Sequence, residues 1–171
     1  MAKRKKVFKI DLQRGLKAEF VIDRLLVRHG YELRIADMTY QRRGIDRIAH
    51  SPDGRKLYLE YKTDWYTNKT GNVYIETVGV KNSNTNIAGW AIKSEADVLL
   101  YWAYPTGLKR ASLVYVWDMK KIKAQMPTWR KYEMKTVENK YHYGQGHLVP
   151  VDVVNELAGI TIMQMPKEYL K

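Results

Sequence analysis

The chain has 171 residues, 45% of them hydrophobic and 28% charged; this is the make-up of a globular protein large enough to bury a core without covalent staples. It contains no cysteine, which excludes a disulfide framework or thiolate metal site and suits a cytoplasmic, intracellular setting. Lys and Arg number 30 against 18 Asp and Glu, a net charge of +12; that excess favours a polyanionic partner, and nucleic acid rather than a membrane, since no span-length apolar run or free amphipathic helix is evident.

The opening Lys3-Arg4-Lys5-Lys6 is a basic run that serves as a phosphate-binding arm or simply a solvated terminus. Residues 11–29 then read as a helix closed by Gly30. Gln13, Arg14, Lys17, Arg24 and Arg28 share one side of it, and Leu12, Leu16, Leu26 and Val27 the other, with Glu19 and Asp23 projecting among the apolar residues. A carboxylate in that position is costly unless paired or bound. Asp23 reads as paired with a basic residue at the core edge; for Glu19 that reading and an inward-facing functional role both stand.

Tyr31–Ala36 reads as a short strand, Met38–Gly44 as a polar loop, and Gly44–Ala49 as a second strand carrying Asp46. Ser51-Pro52-Asp53-Gly54 is a turn that joins this strand, antiparallel, to Lys56–Asp64. Alternation in the latter puts Leu57, Leu59 and Tyr61 on one face and Tyr58, Glu60 and Lys62 on the other. An acid and an amine thus share a strand face near Asp46; taken alone, such a pair also fits a surface ion pair on an edge strand.

Thr63–Asn72 reads as a polar loop and Asn72–Val78 as a further strand, on which Glu76 is either a further member of the acidic cluster or, the reading preferred, an edge-strand surface acid. Lys81–Asn86 is rich in helix and strand breakers, and Ile87–Ala96 suggests helical turns. Val98–Tyr104 and Ser112–Trp117 form a hairpin around Pro105-Thr106-Gly107. Asp118 caps a helix to about Gln125, stopped by Pro127. Residues 128–147 are basic, tyrosine-rich and weakly periodic; Leu148–Val151 reads as a short strand and Asp152–Ala158 as a helix capped by Gly159. Together these elements predict one domain over residues 1–171, of α/β or α+β class with a central mixed β-sheet flanked by helices.

Glu19 in a leading helix, Gly44-Ile45-Asp46, a turn and then Glu60-Tyr61-Lys62 resemble the PD-(D/E)xK nuclease superfamily, most of all its Holliday-junction-resolvase-like and phage-nuclease branches. Arg14-Gly15-Leu16-Lys17-Ala18-Glu19-Phe20 followed by Gly30 is similar to the first helix of those resolvases. Asn86-Ile87-Ala88-Gly89-Trp90 and Ala96–Trp102 are similar to the segment after the active site in phage members. The resemblance covers roughly the first hundred of the 171 residues and departs at Ile45, where the motif's name has proline.

That resemblance implies a restriction-endonuclease-like catalytic core over about 11–104, ahead of a basic, aromatic-rich part over about 105–171. It further implies a Mg²⁺-dependent DNA endonuclease, with Mn²⁺ as a substitute, acting on branched or junction DNA or in phage-type processing, and working as a homodimer. Asp46, Glu60 and the Tyr61 backbone carbonyl are the implied metal ligands. Lys62 would orient or deprotonate the attacking water or stabilise developing charge, and Glu19 would complete the cluster directly, through water or at a second metal.

Basic residues interleaved with aromatics over 117–143 are candidate phosphate contacts, among them Lys120, Lys121, Lys123, Arg130, Lys131 and Lys140, as are Arg42 and Arg43 just before Asp46. Trp117 and Trp129 read as core. His29 and His50 are isolated, and His142 and His147 lack an acidic or thiolate partner for a metal. No phosphate-binding glycine loop or nucleophile elbow is present. Two alternatives stay open: a non-catalytic nucleic-acid-binding protein whose Glu60 and Lys62 pair on the surface, and an RNA-directed nuclease of the same fold.

Overall fold

Apolar residues recurring every three or four positions wind α1 (Ala2–Arg28) and turn Ala18, Val21, Ile22, Leu25 and Leu26 onto a β-sheet. Gly30, at φ +82°, ends the helix in the left-handed conformation that glycine adopts without steric cost. The structure is a computed structural model that describes residues 2–82, 84–104, 112–138 and 143–170, with side chains described from Gly15 to Tyr169 within those ranges. The side chains of Lys3-Arg4-Lys5-Lys6, Leu12, Gln13 and Arg14, the Pro105-Thr106-Gly107 turn, and Lys140, Tyr141 and His142 lie outside the described residues.

After α1 come β1 (Glu32–Ile35), α2 (Met38–Arg42), β2 (Arg47–His50), β3 (Lys56–Asp64), α3 (Thr67–Thr70), β4 (Asn72–Lys81), β5 (Asn86–Ala88) and α4 (Trp90–Lys93). They are followed by β6 (Val98–Ala103), β7 (Leu113–Asp118), α5 (Met119–Ala124), α6 (Met126–Trp129), β8 (Met134–Glu138), β9 (Tyr143–Pro150), α7 (Val151–Ala158), β10 (Gly159–Gln164) and a closing 3-10 turn at Lys167–Leu170. A six-stranded sheet runs β1-β2-β3-β6-β7-β10, and a four-stranded sheet runs β5-β4-β9-β8. The larger sheet is mixed, as expected: β3 and β6 are parallel, with Glu60 beside Leu99 and Lys62 beside Tyr101, and its other pairs are antiparallel.

Strand alternation divides the interior in two. Leu59, Tyr61, Leu100, Trp102 and Val114 face α1. Leu99, Tyr101, Ala103, Tyr115 and Trp117 face the opposite way, onto Val73 and Ile75 of β4, Val149 of β9 and residues of α4 to α7. The fold is therefore a helix, a mixed sheet, and a third layer built from the second sheet and short helices. Trp117 and Trp129 are core, as read from sequence: both are fully buried, their indole N–H groups donating to Asn155 Oδ1 at 2.7 Å and to the Ile122 carbonyl at 2.8 Å.

The turn at Ser51–Gly54, the β2–β3 and β6–β7 hairpin pairings and the Asp118 cap follow the sequence reading. Other segments differ: α1 begins at Ala2 rather than at residue 11, Thr63–Asn72 holds the short α3, and Ile87–Ala88, read as helical, pair with β4 in β5. Met38–Gly44 holds the short α2, because the Asp37 carboxylate accepts the backbone N–H groups of Thr39 and Tyr40 at 2.8 and 3.2 Å. α5 ends at Ala124, close to the end read from sequence, but Pro127 then sits in the first turn of a further helix, α6, where its missing N–H costs nothing. Residues 134–138 and 143–150 pair as β8 and β9; every position of β8 is exposed and β9 has glycine at 144 and 146, so the hydrophobic signal is faint. Gly159 is extended, at φ −66° and ψ 142°, and leads straight into β10. Among the described residues no helix is long and apolar enough to cross a membrane.

Candidate active site

Asp46 stands where β2 stops pairing with β3. The last paired positions are Arg47 and Leu59. The Asp46 N–H donates to the Leu59 carbonyl at 2.8 Å, and its Oδ2 accepts the N–H of Tyr61 at 2.7 Å. A carboxylate thus replaces the backbone partner that β2 no longer supplies. Because a residue in an extended strand sends its N–H and C=O to the same edge, the Tyr61 carbonyl leaves β3 on the edge that carries Asp46.

Glu60 and Lys62 point away from α1, toward the second sheet. Glu60 is 1% exposed, and its Oε1 lies 2.6 Å from the Lys62 amine. Oε2 is buried with no hydrogen-bond partner. Its neighbours are Gly44, at φ +72°, where an added Cβ would stand 2.9 Å from Oε2, and Ser94 at the end of α4. The Ser94 hydroxyl donates to the Gly44 carbonyl at 2.8 Å, which locks the two segments together beneath the carboxylate.

Burial pushes the Glu60 carboxyl above the usual carboxylate range, against the pull of Lys62. For Lys62, burial alone would depress the amine, but the carboxylates of Glu60 and Asp46 outweigh it and raise the pKa above the ordinary lysine value.

Of the two readings of Glu76, the edge-strand surface acid is corrected by the structure: its strand is internal and its side chain half-buried. β4 lies between β5 and β9 and lines a cleft together with β3, which brings a half-buried Glu76 within electrostatic reach of Lys62. Glu76 Oε2 accepts the Trp90 N–H at 3.3 Å, and burial raises its pKa.

Glu19 lies on the α1 side of the sheet, apart from Glu60. Alternation along β2 turns the Arg47 side chain toward α1, where the guanidinium meets Glu19 Oε2 at 3.1 Å and Asp23 Oδ2 at 3.0 Å and also donates to the Asp46 carbonyl at 3.0 Å. Asp23 is therefore paired at the core edge, as read, and also accepts the Tyr61 phenol at 3.0 Å. Glu19 is close enough to Asp46 for the two charges to interact, and its pKa is raised, first by burial, with Arg47 opposing. Two acidic groups thus flank Asp46, one on each side of the sheet.

Of the basic residues singled out, Arg42 is exposed at the end of α2, and Arg43 is tied to Glu95, its Nε donating at 2.9 Å. Lys120, Lys121 and Lys123 sit on α5, and exposed Arg130 and Lys131 follow α6. His147 is a buried structural residue, its Nδ1 lying 3.1 Å from the Tyr132 carbonyl.

The residues that sequence reading passed over are Ser94, Arg47 and the role of Gly44. Only Gly44 left a signal, a glycine two positions before a candidate ligand.

Two carboxylates and a backbone carbonyl are hard oxygen donors, which suits Mg²⁺, an ion commonly held by one or two carboxylates while keeping several waters. Among the described residues no group of three or more His, Asp or Glu side chains is gathered as a metal cage. Compared with protein-family models, curated proteins and solved structures, the chain finds no match in any of the three.

Proposed function

We propose that the protein is a Mg²⁺-dependent DNA endonuclease with a restriction-endonuclease-like core, hydrolysing phosphodiester bonds in branched or junction DNA. The observation that carries the reading is a buried Glu60, paired with a partly exposed Lys62, beside an Asp46 carboxylate fixed on the Tyr61 N–H. A surface ion pair stabilises a protein by only ~0–1 kcal/mol and needs no burial. Burying a carboxylate is costly unless its pairing is complete, and burial still raises the Glu60 pKa against the pull of Lys62 and Ser94, so its placement argues for a role other than stability. The non-catalytic alternative required Glu60 on the surface, and its 1% exposure speaks against that.

Asp46, Glu60 and the Tyr61 carbonyl would hold the ion, which when bound supplies charge neutralisation at the phosphate and a more acidic water. Lys62, kept as an ammonium by Glu60 and Asp46, stabilises negative charge on the phosphate oxygens or protonates the leaving oxygen; a protonated amine cannot take a proton from water. Glu19 acts as a positioning residue, held by Arg47, whose guanidinium also fixes the Asp46 carbonyl. The net charge of +12 holds the DNA, and exposed Arg42, close in sequence to Gly44, is the nearest candidate for a flanking phosphate. A homodimer would place two such sites for symmetric cutting.

The test is a panel of labelled four-way junction, flap, single-strand, duplex and RNA substrates with Mg²⁺ or Mn²⁺. The wild type is expected to cut, and Asp46→Asn and Glu60→Gln to fall by at least ~100-fold while still binding DNA. A wild type that cuts no substrate with either metal overturns the reading, and a preference for RNA replaces its substrate.

A further inference from the structure

The face of β3 that carries Lys62 opens into a cleft of about 810 Å³ between β3, α3 and the second sheet. Lys62 and Glu76 stand in its wall with Trp65, Tyr66 and Tyr74, and Lys135 of β8 closes the far side. We propose that this cleft receives an unpaired nucleobase from a single-stranded segment of nucleic acid, with the adjoining phosphate directed to Lys62. The inference rests on the nuclease reading only in taking that phosphate as the scissile one.

Tyr66 is the central observation. The residue is 70% exposed, yet its backbone is held on both sides. Asp64 Oδ1 accepts the N–H of Tyr66 at 2.6 Å and that of Thr67 at 3.3 Å, while Asp64 Oδ2 accepts the buried Tyr101 phenol. The Tyr66 carbonyl accepts the N–H groups of Lys69 and Thr70 at 2.8 and 2.9 Å and the Thr70 hydroxyl at 3.1 Å. A large ring presented to solvent on so constrained a backbone is preorganised, so stacking on it orders few groups.

Tyr74 supplies a second ring. It lies against Gly146 of β9, where a Cβ would come within 2.7 Å of the ring, so only glycine lets the ring settle there. Trp65 packs on Tyr104 with ring centroids 3.8 Å apart, which backs the same wall.

The volume is that of a small-ligand site. Aromatic faces beside lysines, in a chain of net charge +12, are the combination that single-stranded nucleic acid uses, bases stacking while cations follow the backbone. A paired base would first have to leave its stack, at a cost that an unpaired base does not incur. Selection for branches, flaps or ends would then follow from the unpaired nucleotides these carry.

The test measures binding without cleavage. Short oligonucleotides carrying 2-aminopurine, as DNA and as RNA, single-stranded and duplex, are titrated with metal-free protein in EDTA. The wild type should quench the single-stranded probe and bind it at least ~10-fold tighter than duplex. Tyr66→Ala should weaken single-strand binding roughly 5- to 100-fold, and Tyr66→Phe should restore it. Because Tyr66 is so exposed, the alanine variant should keep its melting temperature. Equal binding of single strand and duplex, no quench, or an unchanged Tyr66→Ala overturns the inference. Protein that quenches the probe in EDTA but never cuts with Mg²⁺ sinks the nuclease reading and leaves the cleft standing; protein that cuts but shows no quench does the reverse.

Discussion

Gly44→Ala tests the geometry beneath Glu60. Gly44 has φ +72°, a conformation that costs a residue with a Cβ about 1–2 kcal/mol. The added methyl would lie 2.9 Å from Glu60 Oε2, 2.9 Å from Ser94 Cα and 3.0 Å from Ser94 Cβ. Carbon contacts are favourable at about 3.5–4.0 Å, so the neighbours must move. Ser94 resists, since its N–H is bonded to the Trp90 carbonyl at 3.1 Å and its hydroxyl to the Gly44 carbonyl at 2.8 Å. Overpacking of this kind costs ~1–3 kcal/mol, for a total of about 2–5 kcal/mol. At about 2–4 °C per kcal/mol for a chain of this size, the melting temperature should fall by about 4–20 °C. Thermal unfolding followed by circular dichroism measures this. Gly54→Ala is the control: φ is +83° but nothing lies within 4 Å of the added Cβ, so only backbone strain remains. Below its melting temperature Gly44→Ala should also lose at least ~10-fold in cleavage rate, because the displaced atom is a candidate metal ligand. If Gly44→Ala melts no lower than Gly54→Ala, the methyl is accommodated and the floor described for the site is wrong.

Arg47→Met should remove the partner of Glu19 and Asp23, a change that costs up to ~3–5 kcal/mol when the stranded charges are buried, and less here because water reaches both acids. The loss should be largest at neutral pH and shrink as pH falls through the raised Glu19 pKa, where a protonated Glu19 needs no counter-ion; equal losses above and below it would refute the Glu19 pairing. Glu76→Gln should raise the melting temperature at neutral pH, by about 2–4 °C per kcal/mol. The folded pKa of Glu76 lies above its unfolded value, so ionisation favours the unfolded chain as pH rises through that window. The gain should therefore vanish as pH falls below the unfolded carboxylate pKa, and a melting temperature below wild type at neutral pH would contradict it.

Features set by near neighbours in sequence were the legible ones. The spacing of α1, the Ser51–Gly54 turn and the alternation of β3 each need only a few residues, and each is present. With the resemblance, that was enough to bring Asp46, Glu60 and Lys62 to one end of one hairpin. What long-range pairing decides was hidden. Nothing near Glu76 says that β4 joins a second sheet and lines a cleft with β3, and nothing near Ser94 says that it adjoins Gly44, fifty positions away. Glu19 shows the same limit: its inward direction was readable, but the Arg47 guanidinium that meets it follows from which face of β2 covers α1.

The most direct measurement is a titration of the protein with Mn²⁺, read by the loss of the free-ion electron paramagnetic resonance signal. Wild type should bind at least one ion. Asp46→Asn and Glu60→Gln, each checked for a native melting transition, should bind it at least ~10-fold more weakly, since each removes a hard oxygen donor. If the wild type binds no Mn²⁺ at millimolar concentration, or both variants bind it as the wild type does, Asp46 and Glu60 are not a metal site.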